Sequence, residues 1–331
     1  MKILIIAPNW VGDLVISQAL YQQLKKNDPN NIIHVLVREN LHTLLKRMPE
    51  IDKIIISPTQ SHTLNLKQQY LFACDLRKEK YDQAIILPNS FKSALIPFWA
   101  KIPKRTGWLG EMRYLVLNDI KKGIKQLPSL LKRFLFLNNA VQKTIPQLKT
   151  TAETVTATLS KFNLKPPKNL LAICPGAEYG EAKRWPAEYF ATIIKTLAPT
   201  HEIWLFGSNN DKIVIDKIQE LSGDLGINLS GKTSLDEAVD LLSLANAVIT
   251  NDSGLMHIAA ALDKPLIAIY GSTSPQFTPP LTNQARILSL NLACSPCFQR
   301  TCPLKHLRCL KEISPPMVLA ELEKLHESTD H

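Results

Sequence analysis

The run Thr250-Asn251-Asp252-Ser253-Gly254-Leu255-Met256-His257 brings together a carboxylate, hydroxyls, a glycine and an imidazole. Ala247-Val248-Ile249 precedes it and Ile258-Ala259-Ala260-Ala261-Leu262 follows, so a short buried strand ends in a polar turn that starts a helix. Asp252 falls at the strand's carboxyl end, Ser253 at the capping position, and His257 one turn inside the helix. The free N–H groups and positive dipole end of a helix form an anion site. In an open α/β sheet, ligands bind beyond the strand ends. The combination reads as a site for a phosphate-bearing ligand, against the plainer reading of a capped helix start.

Three further turns share that placement. Pro175-Gly176-Ala177-Glu178-Tyr179-Gly180-Glu181-Ala182-Lys183-Arg184-Trp185-Pro186 follows a strand and leads into a helix. Lys183 and Arg184 concentrate positive charge where a diphosphate could lie, while Trp185 reads as a core residue. Asn9-Trp10-Val11-Gly12-Asp13 follows the first strand. Gly12 there lets a ligand approach the backbone, and Asp13 either faces the ligand or compensates the helix dipole. It lacks the three-glycine dinucleotide fingerprint, which argues against a nicotinamide or flavin cofactor. Phe206-Gly207-Ser208-Asn209-Asn210-Asp211 offers a carboxylate able to accept from ribose hydroxyls, a weak signal alone.

The elements that must position these turns alternate along the chain. Lys2–Ala7, Ile32–Val37, Ile51–Ser57 and Gln83–Leu87 read as strands, with amphipathic helices between them and helical segments over 127–163, including Leu127–Val141. After Asn163-Leu164-Lys165-Pro166-Pro167-Lys168, a proline-stiffened linker, Leu170–Cys174, Glu202–Phe206, Ile227–Leu229, Ala247–Thr250 and Leu266–Tyr270 repeat the pattern. Ser234-Leu235-Asp236-Glu237 is a capping box. Apolar strands without clean alternation indicate parallel sheets covered on both faces. The expected architecture is α/β, two doubly wound domains over 1–163 and 168–331 facing across a cleft. The C-terminal helix Met317–His326 belongs to the second domain or packs back on the first.

The 331 residues are 45% hydrophobic and 21% charged, ordinary for a soluble globular protein, and no apolar run reaches membrane-spanning length. Met1 to Pro8 is too short for a signal-peptide core, so a cytoplasmic location is expected. The formal charge of +10 favours polyanionic partners, and the lysines and arginines are most frequent in the first half. A nucleic-acid-binding reading lacks interleaved surface aromatics and leaves the phosphate-type turns unexplained.

Trp10-Val11-Gly12-Asp13, Leu87-Pro88-Asn89-Ser90-Phe91-Lys92-Ser93-Ala94, Arg105-Thr106-Gly107-Trp108, Gly110-Glu111-Met112-Arg113-Tyr114, Cys174 to Gly180, Ala182 to Pro186 and Thr250 to His257 all resemble the lipopolysaccharide heptosyltransferase family. The resemblance spans nearly the whole chain. It implies a GT-B glycosyltransferase with two Rossmann-like domains and no metal-binding Asp-x-Asp motif. Such an enzyme moves L-glycero-D-manno-heptose from ADP-heptose onto the first heptose of the inner core, heptosyl-Kdo2-lipid A, with inversion. The alternative is a relative of the first- or third-heptose type, or another nucleotide-sugar transferase of the cell envelope.

By resemblance, Asp13 is the general base and Lys183 neutralises the diphosphate. Asp252 holds donor-sugar hydroxyls, with Ser253, Gly254 and His257 around the phosphates and Gly12 beside the ligand. Glu178 and Tyr179 lie near the donor, and Asp211 and Thr233 near ribose and adenine. Asn89, Ser90, Lys92, Arg105 and Arg113 become candidate contacts for Kdo carboxylates and lipid A phosphates. No cofactor is required for catalysis, divalent-cation assistance stays open, nucleic acid is not a partner, and a peripheral approach to the inner-leaflet membrane surface is expected.

Cys74 and Cys174 read as buried small hydrophobes. Cys294, Cys297, Cys302 and Cys309 crowd beside His306. Three readings stay open for them: a structural zinc, free thiols, or a disulfide. The cluster is expected on an excursion away from the chemistry.

Overall fold

The computed structural model describes residues 1–58, 65–139 and 144–327. The chain forms two compact units, Met1–Pro146 and Gln147–His331. The first holds strands β1 (Lys2–Ile6), β2 (Ile32–Val37), β3 (Lys53–Ile56), β4 (Gln83–Ile86), β5 (Lys104–Trp108) and β6 (Asp119–Lys121). The second holds β7 (Leu170–Cys174), β8 (Glu202–Leu205), β9 (Ile227–Asn228), β10 (Ala247–Asn251), β11 (Leu266–Tyr270) and β12 (Ala285–Ser289).

Both sheets are wholly parallel, ordered β3-β2-β1-β4-β5-β6 and β12-β11-β10-β7-β8-β9, so each unit repeats one doubly wound topology. In each, the first strand lies between the second and the fourth, and the crossovers leave it in opposite directions. The central strands are buried along their length because helices cover both faces, which is why they read as continuous apolar runs. Leu4, Ile6, Ala84 and Ile86 pack with Ala94 to Ile96 in the first unit. In the second, Leu171, Ile173, Ile249, Ile267 and Ile269 pack with Phe190, Ile194, Ile215 and Ile218.

Three expectations change, and one that stood open is decided. The break falls at 146/147 rather than at the tandem prolines. The Ala152–Lys161 helix belongs to the second unit because Thr154 and Thr158 donate to the buried Asp240 carboxylate at 2.9 Å each. The Pro315–Glu327 helix likewise packs in the second unit, through Val318, Leu322 and Leu325. The helix expected over Leu127–Val141 spans Leu130–Phe136, and residues 140 and 141 lie outside the described residues. Strands β5, β6 and β12 escape a sequence reading. Lys104-Arg105-Thr106-Gly107-Trp108 is polar and glycine-containing, and β6 and β12 are half-exposed edge strands without an apolar run.

Two arginines expected at the acceptor have structural roles instead. Arg113 is fully buried, and its guanidinium donates to the carbonyls of Pro88 (2.8 Å), Ser90 (3.3 Å) and Trp108. Burial pushes its pKa down to about 10, so it stays protonated at neutral pH. Arg105 donates from Nε to the Val116 carbonyl at 2.7 Å and from Nη1 to Ile102 at 2.6 Å, over the Phe98 ring. Arg113 thus ties the loop after β4 to the end of β5, and Arg105 ties the turn before β5 to the segment after it. Arg113→Met is therefore expected to cost the first unit about 2–4 kcal/mol by orphaning buried carbonyls. Urea unfolding of the variant measures this, and unchanged stability with a raised acceptor KM would restore Arg113 to the acceptor site.

Candidate active site

At the switch point of the second sheet, the loops leaving β7 and β10 start side by side and their crossovers diverge. Asn251, buried at the end of β10, bridges these loops. Its amide Nδ2 donates to the Pro175 carbonyl at 2.6 Å, and its Oδ1 accepts the Trp185 N–H at 3.1 Å. That bracket frames the segment between, which turns through Gly180 (φ +155°) into a short 3₁₀ turn, Glu181–Lys183. A Cβ at Gly180 would run into the Arg300 carbonyl.

Lys183 leaves this turn and meets Asp252 across the switch point, Nζ to Oδ2 at 2.6 Å. Both groups are withdrawn from solvent, with side chains 14% and 4% exposed. Thr273, after β11, donates its hydroxyl to the same carboxylate oxygen at 2.5 Å. The site is thus an ion pair with one oxygen doubly bonded, close to neutral as a unit, and able to take a polyanion on the ammonium side and hydroxyls on the carboxylate side. Asn251 and Thr273 escaped the sequence reading. Asn251 stood inside the motif without a role, and Thr273 lies in the turn after β11, which only the sheet brings to Asp252.

Ser253 occupies the N-cap of the Gly254–Ala261 helix, yet its side chain makes no capping bond. The expectation that it caps the helix is corrected: its hydroxyl lies 3.4 Å from that of Thr250. The first-turn N–H groups therefore keep their capacity for an anion. His257 is buried one turn on, and its pKa is pushed down to about 4, first by desolvation and then by the nearby Lys183 charge, against the opposing pull of Asp252. It is a neutral imidazole at pH 7, a hydrogen-bonding group and not a cation.

Of the other expected donor residues, Glu178 is exposed and Tyr179 half-buried. The Tyr179 hydroxyl donates to the Phe298 carbonyl at 2.6 Å, with Lys183 and Arg300 over its ring. Asp211 is buried and already engaged. It caps its own turn by accepting from Ser208 N (2.9 Å) and Oγ (2.7 Å), pairs with Arg184 at 3.4 Å, and lies so close to Gly176 that a Cβ there would strike it. It shapes the turn and does not stand open to a ribose. Thr233 precedes the Leu235–Leu242 helix on a loop joined to the Asp211 turn by Gly231 N–H to the Gly207 carbonyl at 2.8 Å. Trp185 is buried in the core, its Nε1 donating to Ile313. Cys174 is buried as expected, but Cys74 is only partly so.

In the first sheet the switch point lies between β1 and β4. Gly12 and Asp13 stand in the first turn of the Val11–Asn27 helix after β1, both half-buried. Asn89, exposed, and Ser90 and Lys92, half-buried, follow β4. The same topological rule thus selects the expected base and the expected acceptor contacts within one unit.

The cysteines all carry free thiols, and among the described residues no three His, Cys, Asp or Glu side chains stand as a metal shell. Cys294 to Cys309 do not lie away from the site. Their segment docks on the Lys183 turn, with the Ala182 N–H donating to the Arg300 carbonyl at 3.0 Å.

The buried imidazole carries a pH dependence. Between pH 6.5, the ordinary histidine value, and about 4, the unfolded chain takes up a proton that folded His257 refuses. Stability therefore falls with pH through that window, by up to about 3 kcal/mol. Denaturant titrations at pH 7, 6 and 5 should show the decline, and His257→Gln should flatten it. An equal slope in both proteins would place the imidazole in solvent.

The family model described as glycosyltransferase family 9 (heptosyltransferase) matches residues 70–308. The chain is 46% identical to lipooligosaccharide heptosyltransferase 2 of Haemophilus influenzae, covering 88% of this chain and 89% of that one. It is 40% identical to lipopolysaccharide heptosyltransferase 2 of Escherichia coli, covering 98% of each. The solved structure of E. coli ADP-heptose lipopolysaccharide heptosyltransferase II superposes with a TM-score of 0.89 over 100% of both chains at 38% identity. On these grounds the chain belongs to glycosyltransferase family 9, the heptosyltransferases.

Proposed function

We propose that this chain transfers L-glycero-D-manno-heptose from ADP-heptose onto the first heptose of the lipopolysaccharide inner core, heptosyl-Kdo2-lipid A, with inversion at the anomeric carbon. The Lys183–Asp252 pair at the switch point of the second sheet, beside an uncapped helix start, carries the reading. The second-heptosyltransferase name shared by its similar relatives favours this acceptor over first- or third-heptose types.

The donor diphosphate lies against the N–H groups at Gly254 and the Lys183 ammonium, within reach of the Ser253 hydroxyl. Asp252 accepts from hydroxyls of the sugar through the oxygen that Lys183 and Thr273 leave open. Neutral His257 supplies a hydrogen bond without competing with Lys183 for the anion. Tyr179 and Glu178 border the donor, and Thr233 lies toward the nucleoside.

In the displacement, the acceptor hydroxyl oxygen bonds to the anomeric carbon as the carbon–oxygen bond to ADP breaks. The bonding pair leaves with the β-phosphate oxygen, and the hydroxyl proton passes to Asp13. Lys183 and the helix N–H groups stabilise the departing charge, so proton transfer can come late, where an ordinary carboxylate suffices. Asn89, Ser90 and Lys92 contact the acceptor. Its carboxylates and phosphates sit at a membrane surface, which the basic first unit approaches peripherally. Among the described residues no helix is long and apolar enough to cross a membrane.

Turnover with ADP-heptose and heptosyl-Kdo2-lipid A, with the product linkage determined, tests the reaction; absence of heptose on the first heptose overturns it. Asp13→Ala should lower kcat by about 10²–10⁴-fold with donor affinity retained. Near-normal turnover removes the base assignment. Lys183→Ala should weaken ADP-heptose binding and turnover together, and unchanged values in both would exclude it from the site.

A further inference from the structure

The segment after β12 has little regular structure until the short Arg308–Lys311 helix, yet it is tightly organised around sulfur. Cys294, Cys297, Cys302 and Cys309 all line one cavity of about 20 Å³, room for a single atom-sized guest. The chain winds round Cys302 so that the N–H groups of Leu304, Lys305, His306 and Leu307 all face its sulfur. Lys305 and Leu307 take positive φ, at 57° and 52°, to achieve this. A neutral thiol is a weak acceptor, whereas a thiolate or metal-bound sulfur rewards such a cradle. Cys309, the buried member of the four, closes the wall of the same cavity that the other three thiols line. His306 is turned to other use, its Nδ1 accepting the Arg308 N–H at 3.0 Å.

The same segment holds the donor side of the site. The Phe298 carbonyl accepts from the Tyr179 hydroxyl, and the Arg300 carbonyl from Ala182 N–H at 3.0 Å. Phe298 N–H donates to the Ser272 carbonyl at 2.7 Å, and Ser295 Oγ to Gly271 at 2.6 Å. Ser272 N–H in turn donates to the Ala182 carbonyl at 3.2 Å, so the Lys183 turn and the Thr273 turn are clasped together from outside. Ala182 and Ser272 form part of the wall of the sulfur cavity itself.

We propose that Cys294, Cys297, Cys302 and Cys309 bind one thiophilic divalent cation, of the zinc type, and that this ion fastens the clasp that sets Lys183 against Asp252. The metal site stands on the cysteines alone, while its effect on the donor rests on the function proposed above. Each coordinating thiol releases its proton to solvent and gives a sulfur lone pair to the ion, with no change of oxidation state. Because no metal shell is already closed among the described residues, the sulfurs draw inward on binding, as a segment built of turns allows.

The test uses the untagged full chain, purified without chelator from zinc-supplemented culture. Elemental analysis should find about one zinc per chain, and Cys302→Ser should lose most of it while Cys74→Ser keeps it. Exchange with cobalt(II) should produce thiolate-to-cobalt charge-transfer bands and the red-region absorption of a tetrahedral site. Four thiols should react with a colorimetric reagent only after chelation. Less than about a tenth of an equivalent of metal with no cobalt bands overturns the site, as does finding these cysteines in disulfides. In wild-type holoprotein, chelation should weaken ADP-heptose binding several-fold. Metal bound with donor affinity unchanged on its removal overturns the fastening role, whereas holoprotein that never binds ADP-heptose overturns the donor reading and leaves the metal site standing.

Discussion

A lysine and an aspartate withdrawn from water must be held in place by everything around them. Removing two charges from solvent costs several kcal/mol each, and their attraction recovers this only when the remaining polar atoms are satisfied. At the Lys183–Asp252 pair the compensation comes from Thr273 on the shared carboxylate oxygen and from the Asn251 amide, which locks the two loops that deliver the charges. Such a pair is a poor way to stabilise a core and a good way to fix charge at a ligand. Its cost is better explained by the reaction than by folding.

Sheet topology explains why the pair can form. The lysine and the aspartate stand 69 positions apart in sequence, yet β7 and β10 are hydrogen-bonded neighbours with their carboxyl ends level. The first unit repeats the arrangement with β1 and β4, which sets Asp13 and the Asn89–Lys92 turn at an equivalent place. Two copies of one topology thus offer two crevices, one at the switch point of each sheet.

Local electrostatics then refines what each group can do. His257 beside a lysine and inside the fold stays neutral, so it adds no positive charge to that of Lys183 and the helix N–H groups. Because Ser253 leaves the first turn of its helix uncapped, those N–H groups remain open to an anion. Arg113, the most buried guanidinium of the first unit, shows the opposite use of charge: it ends as a bracket for backbone carbonyls.

By itself, the sequence determined where the polar strand-to-helix turns fall, because a polar cluster at a junction between an apolar strand and a helix marks the carboxyl edge of a parallel sheet. The long buried strands were legible for the same reason, whereas β5, β6 and β12 were not, being short, polar or half-exposed. Tertiary structure alone decided the partners. It gave Asn251 and Thr273 their roles, turned Arg105 and Arg113 inward, occupied Asp211 with its own turn, and moved the unit boundary by burying Asp240 under Thr154 and Thr158. It also set the cysteine segment against the Lys183 turn, where spacing had suggested a remote excursion. The physical reason is common to all of these. Residue type and spacing report on hydrogen bonds and burial within a few positions, but the partner of a buried polar group lies wherever the sheet brings another strand end.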